Sequence, residues 1–282
     1  MHYEKFSSNL IWTSKGHGNT AAINLGEKVF VIDSTLNWKL AQKWRETIQE
    51  YFDESISGLI LTHHHADHTF GNQVFSDVPI ISSSEIRKIM DFNKKHYWII
   101  KDMMEWEEGG YGIKDLQITL PNICFKNRLT IHGGRALELI RADGHTLGST
   151  YLWEEETRVL IAGDLIFNQE FPYGGDETSD LIKWNAVIDE LIELRPKMII
   201  SGHGPPATKK DLIEISKFFS ECIDFMKQRK NQGFSLEKII EDPQFPEYYS
   251  KDRIERKKVS IERWYNYFDE KDAENANKSS EK

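Results

Sequence analysis

Apolar residues recur along this chain with two periods. Residues 38–52 (WKLAQKWRETIQEYF) place Leu40, Trp44, Ile48 and Phe52 at helical spacing, with Trp38 and Ala41 beside them. Residues 180–194 (DLIKWNAVIDELIEL) repeat that pattern and stop before Pro196. A further helix is predicted over 209–231, and the tail containing Trp264 and Tyr265 also reads as helix. Three apolar runs are too short for helices and read as buried strands: SGLILT (57–62), VPIIS (78–82) and KMIIS (197–201). The second leads into a helix from about Ser83, with Ser83 or Ser84 as N-cap. Three paired runs read as hairpins. They are 18–33 around Leu25–Lys28, 129–141 around Gly133-Gly134, and 149–164 around the acidic run 154–156.

The two halves echo each other. A hairpin ends at Asp33, a helix follows, and a strand delivers His63. Later a hairpin ends at Asp164, a helix follows, and a strand delivers His203. This order predicts an α/β fold of two facing sheets flanked by helices, with polar strand ends gathered at one edge. No Pro-, Gly- or Ser-rich linker divides the chain. The predicted organisation is a main domain over 1–210, a packed helical extension over 211–268, and a polar, disordered tail over 269–282. Residues 93–112 are aromatic, Met-rich and then Gly-rich. They read either as a helix packed on the core or as an apolar roof of Trp98, Met103, Met104, Trp106 and Tyr111 over a site.

Composition narrows the partners. The chain has 282 residues, of which 39% are hydrophobic and 29% charged, a globular balance. Its 45 acidic and 36 basic side chains leave a formal charge of −9, which disfavours nucleic acid as a bulk partner. No apolar run approaches the length of a membrane span, and the first residues lack the pattern of a signal peptide. Cys124 and Cys222 make no disulfide framework; reduced, buried thiols and a cytoplasmic location are expected. A small-molecule substrate is therefore expected, while oligomeric state is left open.

Chemistry concentrates in Thr62-His63-His64-His65-Ala66-Asp67-His68. Alternate residues of extended backbone point the same way, so His63 and His65 can share one ion. Imidazole nitrogen and carboxylate oxygen suit zinc and other borderline cations. Four such groups in six residues exceed the roughly three protein ligands of an open catalytic zinc, which suggests two ions. His145 in DGHTLGS, Asp164 in IAGDLIF and His203 in SGHGPP add three polar groups, each beside glycine. Five His and two Asp suffice for two ions, with one carboxylate able to bridge them.

THHHADH resembles the H-x-H-x-D-H motif of the metallo-β-lactamase superfamily, and GHTLGS, AGD and SGHGP resemble its later motifs in the same order over roughly residues 10–210. The resemblance implies a four-layer αββα sandwich with metals at one edge of the sheets. It implies that His63, His65 and His145 hold the first of two divalent ions, with Zn2+ favoured over Fe or Mn. Asp67, His68 and His203 would hold the second, and Asp164 would bridge. It also implies a metal-bridging hydroxide that attacks an ester or thioester carbonyl, with Asp67 orienting the nucleophile and passing a proton to the leaving group. His64 is expected to face away, and His2, His17, His96 and His132 match no motif.

Departures from subfamilies order the reactions. Neither Cys lies in a motif, and a bridging Asp is present, which disfavours a true β-lactamase. Phe167 stands three residues after Asp164, where acyl-homoserine lactonases carry Tyr. Glyoxalase II is similar in its seven ligands, length and helical C-terminal part, so thioester or ester hydrolysis comes first. Lactone or β-lactam hydrolysis and then phosphodiester hydrolysis follow. An iron-dependent sulfur dioxygenase or a non-enzymatic metal-binding protein are the readings from other classes.

Overall fold

A computed structural model describes residues 1–95, 115–249 and 254–280, the side chains of 272–280 excepted. Trp98, Met103, Met104, Trp106 and Tyr111, the residues of the suggested roof, lie outside the described residues, as does His96.

Two sheets carry the chain. Seven strands form the first in sequence order: β1 (Glu4–Ser7), β2 (Leu10–Gly16), β3 (Gly18–Asn24), β4 (Val29–Ile32), β5 (Ile56–Ile60), β6 (Ile80–Ser83) and β7 (Ile123–Phe125). The β1–β4 pairings are antiparallel, and β4 to β7 run parallel. The second sheet has the order β12 (Met198–His203), β11 (Val159–Phe167), β10 (Thr150–Glu154), β9 (Arg135–Arg141), β8 (Arg128–Gly133).

Strand alternation decides the layers. Ala21, Ile23, Phe30, Ile32 and Ile60 of the first sheet face Leu137, Leu152, Ile161 and Ile200 of the second in one buried cluster. Their neighbours Ala22, Val29, Val31 and Leu59 point the other way. They pack on Ala41, Trp44 and Ile48 of α1 (Trp38–Phe52) and on Ile86 and Met90 of α3 (Ser84–Lys95). The outer face of the second sheet packs on α4 (Leu181–Glu193), α5 (Lys209–Asn231), the short α6 (Leu236–Ile240) and α7 (Ile254–Ser280), which share one buried cluster that includes Trp184, Phe219, Ile239 and Trp264. The result is helix, sheet, sheet, helix. Each fully buried Leu, Ile or Phe contributes about 1.5–3 kcal/mol. An exposed helical pair such as Lys210–Glu214 contributes only about 0.3–0.5 kcal/mol, so the apolar layers set the architecture.

Local chemistry fixes the helix starts. Asn37 accepts from the backbone N–H groups of Lys39 and Leu40, and Asp180 accepts from Lys183 N. Thr208 and Asp211 form a reciprocal capping box before α5. Ser83 Oγ accepts from Ile86 N, so Ser83 caps α3. Helix α7 continues to Ser280, through most of the stretch expected to be a disordered tail. That stretch holds Ala, Glu and Lys, which are strong helix formers, and extending an existing helix is cheap. Strands β1, β2 and β7 were not read from the sequence; β1 and β7 are four and three residues long and show no sustained alternation.

One end of the sandwich is stitched by Gly26 and Gly134, where Glu27 N donates to Gly133 O and Arg135 N to Leu25 O. The opposite edge, where β5, β11 and β12 end, holds the histidines.

Candidate metal centre

All seven sequence-selected residues meet at this edge. The backbone leaving β5 carries His63 and His65, and the single turn α2 (Ala66–Thr69) then presents Asp67 and His68. His145 lies in the turn before β10, Asp164 within β11, and His203 at the end of β12. Two glycines make the approach possible. A Cβ on Gly202 would sit 2.0 Å from Asp164 Oδ1, and Gly163, at φ 53°, passes so near Thr62 that a Cβ would lie 2.5 Å from its hydroxyl. Thr150 N donates to Thr62 O at 2.8 Å, and Asn19 Nδ2 donates to Ser201 O at 2.8 Å, tying the two sheets beside the site.

The donors form two groups. His63, His65, His145 and Asp164 converge as one, and Asp67, His68 and His203 as the other. In the first, His65 Nδ1 lies 3.1 Å from His145 Nε2, and the Nε2 atoms of His63 and His145 each lie 3.5 Å from Asp164 Oδ2. In the second, Asp67 Oδ2 lies 3.6 Å from His68 Nε2 and 3.2 Å from His203 Nε2. Asp164 reaches this group too, at 3.1 Å from His68 and 3.3 Å from His203. Four ligands around zinc at about 2.0–2.1 Å stand about 3.3–3.4 Å apart along a tetrahedral edge. The observed spacings bracket that value. His63 Nε2, His68 Nε2 and Asp164 Oδ1 are buried without a hydrogen bond. Nitrogen and carboxylate donors that converge in a buried site are satisfied together by a cation, so the donor set fits the expected metals.

Surrounding groups aim the rings. Thr62 Oγ1 lies 3.0 Å from His63 Nδ1 and donates to Asp33, whose carboxylate also accepts from Thr62 N and lies 2.8 Å from His68 Nδ1. Asp33 itself, at φ 60°, turns back from the end of β4. Phe167 stacks on His203 with ring centroids 4.9 Å apart, and Trp184 meets His145 edge-on at 5.1 Å.

The two groups differ electrically. Burial and the neighbouring histidines push His63 well down, and burial, with His65 beside it, pushes His145 down to about 3. Both are neutral nitrogen donors. Burial also opposes charge on His203, but Asp164 and Asp67 outweigh it and hold its imidazolium up at about 9. His68 is raised in the same way by Asp164, Asp67 and Asp33. Asp164 and Asp67 stay ionised, held well below the usual carboxylate range by these imidazoliums despite their burial.

His64 joins neither group, but its Nε2 lies 3.1 Å from Asp176, which also lies 3.2 Å from His65 Nε2, so these three side chains form a further cluster of potential donors. Sequence reasoning missed Asp176; the one available signal was an acid directly after Gly174-Gly175. Neither His2, His17 nor His132 joins a donor group among the described residues. Two cavities open beside the donors. One of about 290 Å³ is bounded by Asp67, Asp164, Phe167, His203 and Arg256. The other, about 690 Å³, is walled by Phe70, Ile89, Met90, Phe92 and Ile118. His65, Ala66 and Tyr173 border both.

Residues 13–203 match the family model of the metallo-beta-lactamase superfamily. The chain belongs to the metallo-beta-lactamase superfamily. It is similar to the probable metallo-hydrolase YqjP of Bacillus subtilis, with 24% identity over 223 residues, 68% of this chain and 69% of that protein. It is also similar to the hydroxyacylglutathione hydrolase GloC of Haemophilus influenzae, with 27% identity over 176 residues, 60% of this chain and 77% of that protein. Among solved structures, a metallo-beta-lactamase from Pontibacter korlensis shares the fold, with a TM-score of 0.62 at 17% identity over 78% of this chain and 98% of that one. This superfamily member is a metal-dependent hydrolase. Among the described residues, no helix is long and apolar enough to cross a membrane.

Proposed function

We propose that this chain binds two divalent ions, zinc by preference, and hydrolyses an ester or thioester of a small molecule. The observation that carries the reading is the position of Asp164, one carboxylate within 3.5 Å of ligating nitrogens from both groups. In this reading His63, His65 and His145 would hold the first ion, Asp67, His68 and His203 would hold the second, and Asp164 would be shared by both. When bound, such ions supply an acidified water at neutral pH and a Lewis acid for the carbonyl oxygen.

The chain's own residues do the rest. Asp67 is the most exposed of the seven, its side chain 25% accessible, and it borders the smaller cavity. It is ionised, so it accepts a hydrogen bond from the attacking water and receives a proton that it returns to the leaving group. The larger cavity's apolar wall fits an acyl or alkyl portion, and Arg256 borders the side where polar groups of the substrate would lie. Phe167 carries no hydroxyl toward the centre, which supports ester or thioester over lactone. The likeness to a hydroxyacylglutathione hydrolase supports the same choice.

The test is a hydrolysis panel on zinc-loaded protein with thioester, lactone, β-lactam and phosphodiester substrates, against a His145→Ala blank. Thioester or ester turnover above roughly 10⁴ M⁻¹s⁻¹ is expected. Preference for another class would replace the reaction but keep the centre. No turnover above the blank, with iron as the bound metal and oxygen consumed, would replace hydrolysis by oxidation.

A further inference from the structure

Asp176 belongs to neither of the two groups that meet at Asp164, yet it converges with His64 and touches one of the seven from behind. Its Oδ2 lies 3.2 Å from His65 Nε2, while the opposite nitrogen of that ring, Nδ1, faces His145 among the first group's donors. An imidazole that offers a lone pair at Nδ1 carries its proton at Nε2. A carboxylate at Nε2 therefore selects the tautomer and fixes the plane of the ring. The remaining histidines of the first group have no such partner. His63 Nδ1 meets the Thr62 hydroxyl, and His145 Nδ1 is buried without a hydrogen bond.

Asp176 is itself fixed. Its Oδ1 accepts from Thr178 N at 2.8 Å and from the Thr178 hydroxyl, and that hydroxyl accepts from Leu147 N at 2.8 Å, two residues past His145. The chain just before it is pinned by α7. Ser260 Oγ accepts from Gly174 N at 2.8 Å and lies 3.0 Å from Pro172 O, and Arg256 pairs with Glu170 at 2.9 Å. Gly174 also passes close to the Trp264 indole, with no room for a Cβ.

We infer that Asp176 is a positioning residue for the first metal position, acting through His65, and that helix α7 holds it in place. This rests on the proposed metal-centre reading. Helix α7 then does more than cover the outer sheet face. It sets the geometry of a ligand more than a hundred positions earlier in the chain.

The test is zinc titration against a competing chelator, followed through the visible spectrum of cobalt-loaded protein. In the wild type, two equivalents bind. Asp176→Asn keeps the side chain's shape and removes its charge. One equivalent should weaken by about 10–100-fold, the loss usual for an outer partner of a ligand, and its cobalt spectrum should shift. The other should stay within about twofold. The weakened equivalent should be the one that survives in His203→Ala, and the loss should be absent in His145→Ala. Thr178→Val, which frees Asp176 without removing it, should weaken the same equivalent by less. Two unchanged equivalents in Asp176→Asn, or equal loss of both together with a lowered melting temperature of the zinc-free protein, would overturn the assignment. A wild type that takes up no zinc would instead overturn the metal-centre reading, and this inference with it.

Discussion

The two donor groups sit side by side at one sheet edge but are maintained by different parts of the molecule. His63 and His145 are buried and neutral, and His65 is backed by an acid on a loop that α7 pins. The second group is an ion-paired set. His68 is backed by Asp33 from the end of β4, and His68 and His203 are charged beside Asp67 and Asp164. Asp33, the acid behind the second group, lies inside the stretch 13–203 that matches the family, and α7 reaches that group only through Arg256 over the Phe167 ring among the described residues. The support inferred for the first group runs through the α7 contacts of the Asp176 loop, beyond that stretch. The difference teaches that one motif set, common to a superfamily, can be completed by parts of the chain that the motifs do not announce.

The largest expected effect lies where the groups meet. Asp164→Ala should weaken both zinc equivalents by more than the roughly 100-fold that loss of an outer partner costs, and hydrolysis should fall to the blank. Retention of either equivalent would show that the groups do not share this carboxylate. Next, Asp33→Asn should weaken the second equivalent by about 10–100-fold and destabilise the zinc-free protein by about 1–3 kcal/mol, because buried Thr62 loses an acceptor. If only the first equivalent weakened, the assignment of supports to groups would be reversed.

The charge difference predicts a proton count. His203 binds its proton up to about pH 9 in the metal-free protein, so zinc uptake near pH 7.5 must displace it. About two protons, one from His203 and one from His68, should appear in weakly buffered solution on filling the second position, and none from neutral His145. The same raised value gives the metal-free protein stability that is complete below about pH 6.5, the unfolded value, and is lost as pH rises through about 9. Thermal unfolding of the chelated protein between those limits measures it, and a stability that rises across this window would contradict the ion-paired description. The smallest effect is expected for Ser260→Ala. It leaves Gly174 N without its partner, at about 1–3 kcal/mol of stability, and weakens the first equivalent less than Asp176→Asn does. A selective effect on the second equivalent would break the link between α7 and the first.

Much of the fold was legible because its elements carry strong periodic signals. Helix α1 spans the residues that the spacing of Leu40, Trp44 and Ile48 predicted, and α5 covers the predicted 209–231. The hairpin at Gly133-Gly134 is visible because its turn sits between alternating strands. Strands β1 and β7 escaped because short edge pieces take their structure from a neighbour, not from their own pattern. The donors His63, His65, Asp67 and His68 could be read because all are delivered by one stretch of chain. His145, Asp164 and His203 could be read because each stands beside glycine, His145 in a turn and the other two within or at the end of an apolar run.

What the sequence determined by itself was therefore the set of candidate donors and the layered α/β frame, since both are written in local order and spacing. The supports of the site were decided only by tertiary structure. Asp33 lies 35 positions from His68, Asp176 lies 111 from His65, and Ser260 lies 86 from Gly174. An Asp or Ser at such separations has no periodic signature. Its role is set by which loop the packed sheets and helices bring against the back of an imidazole.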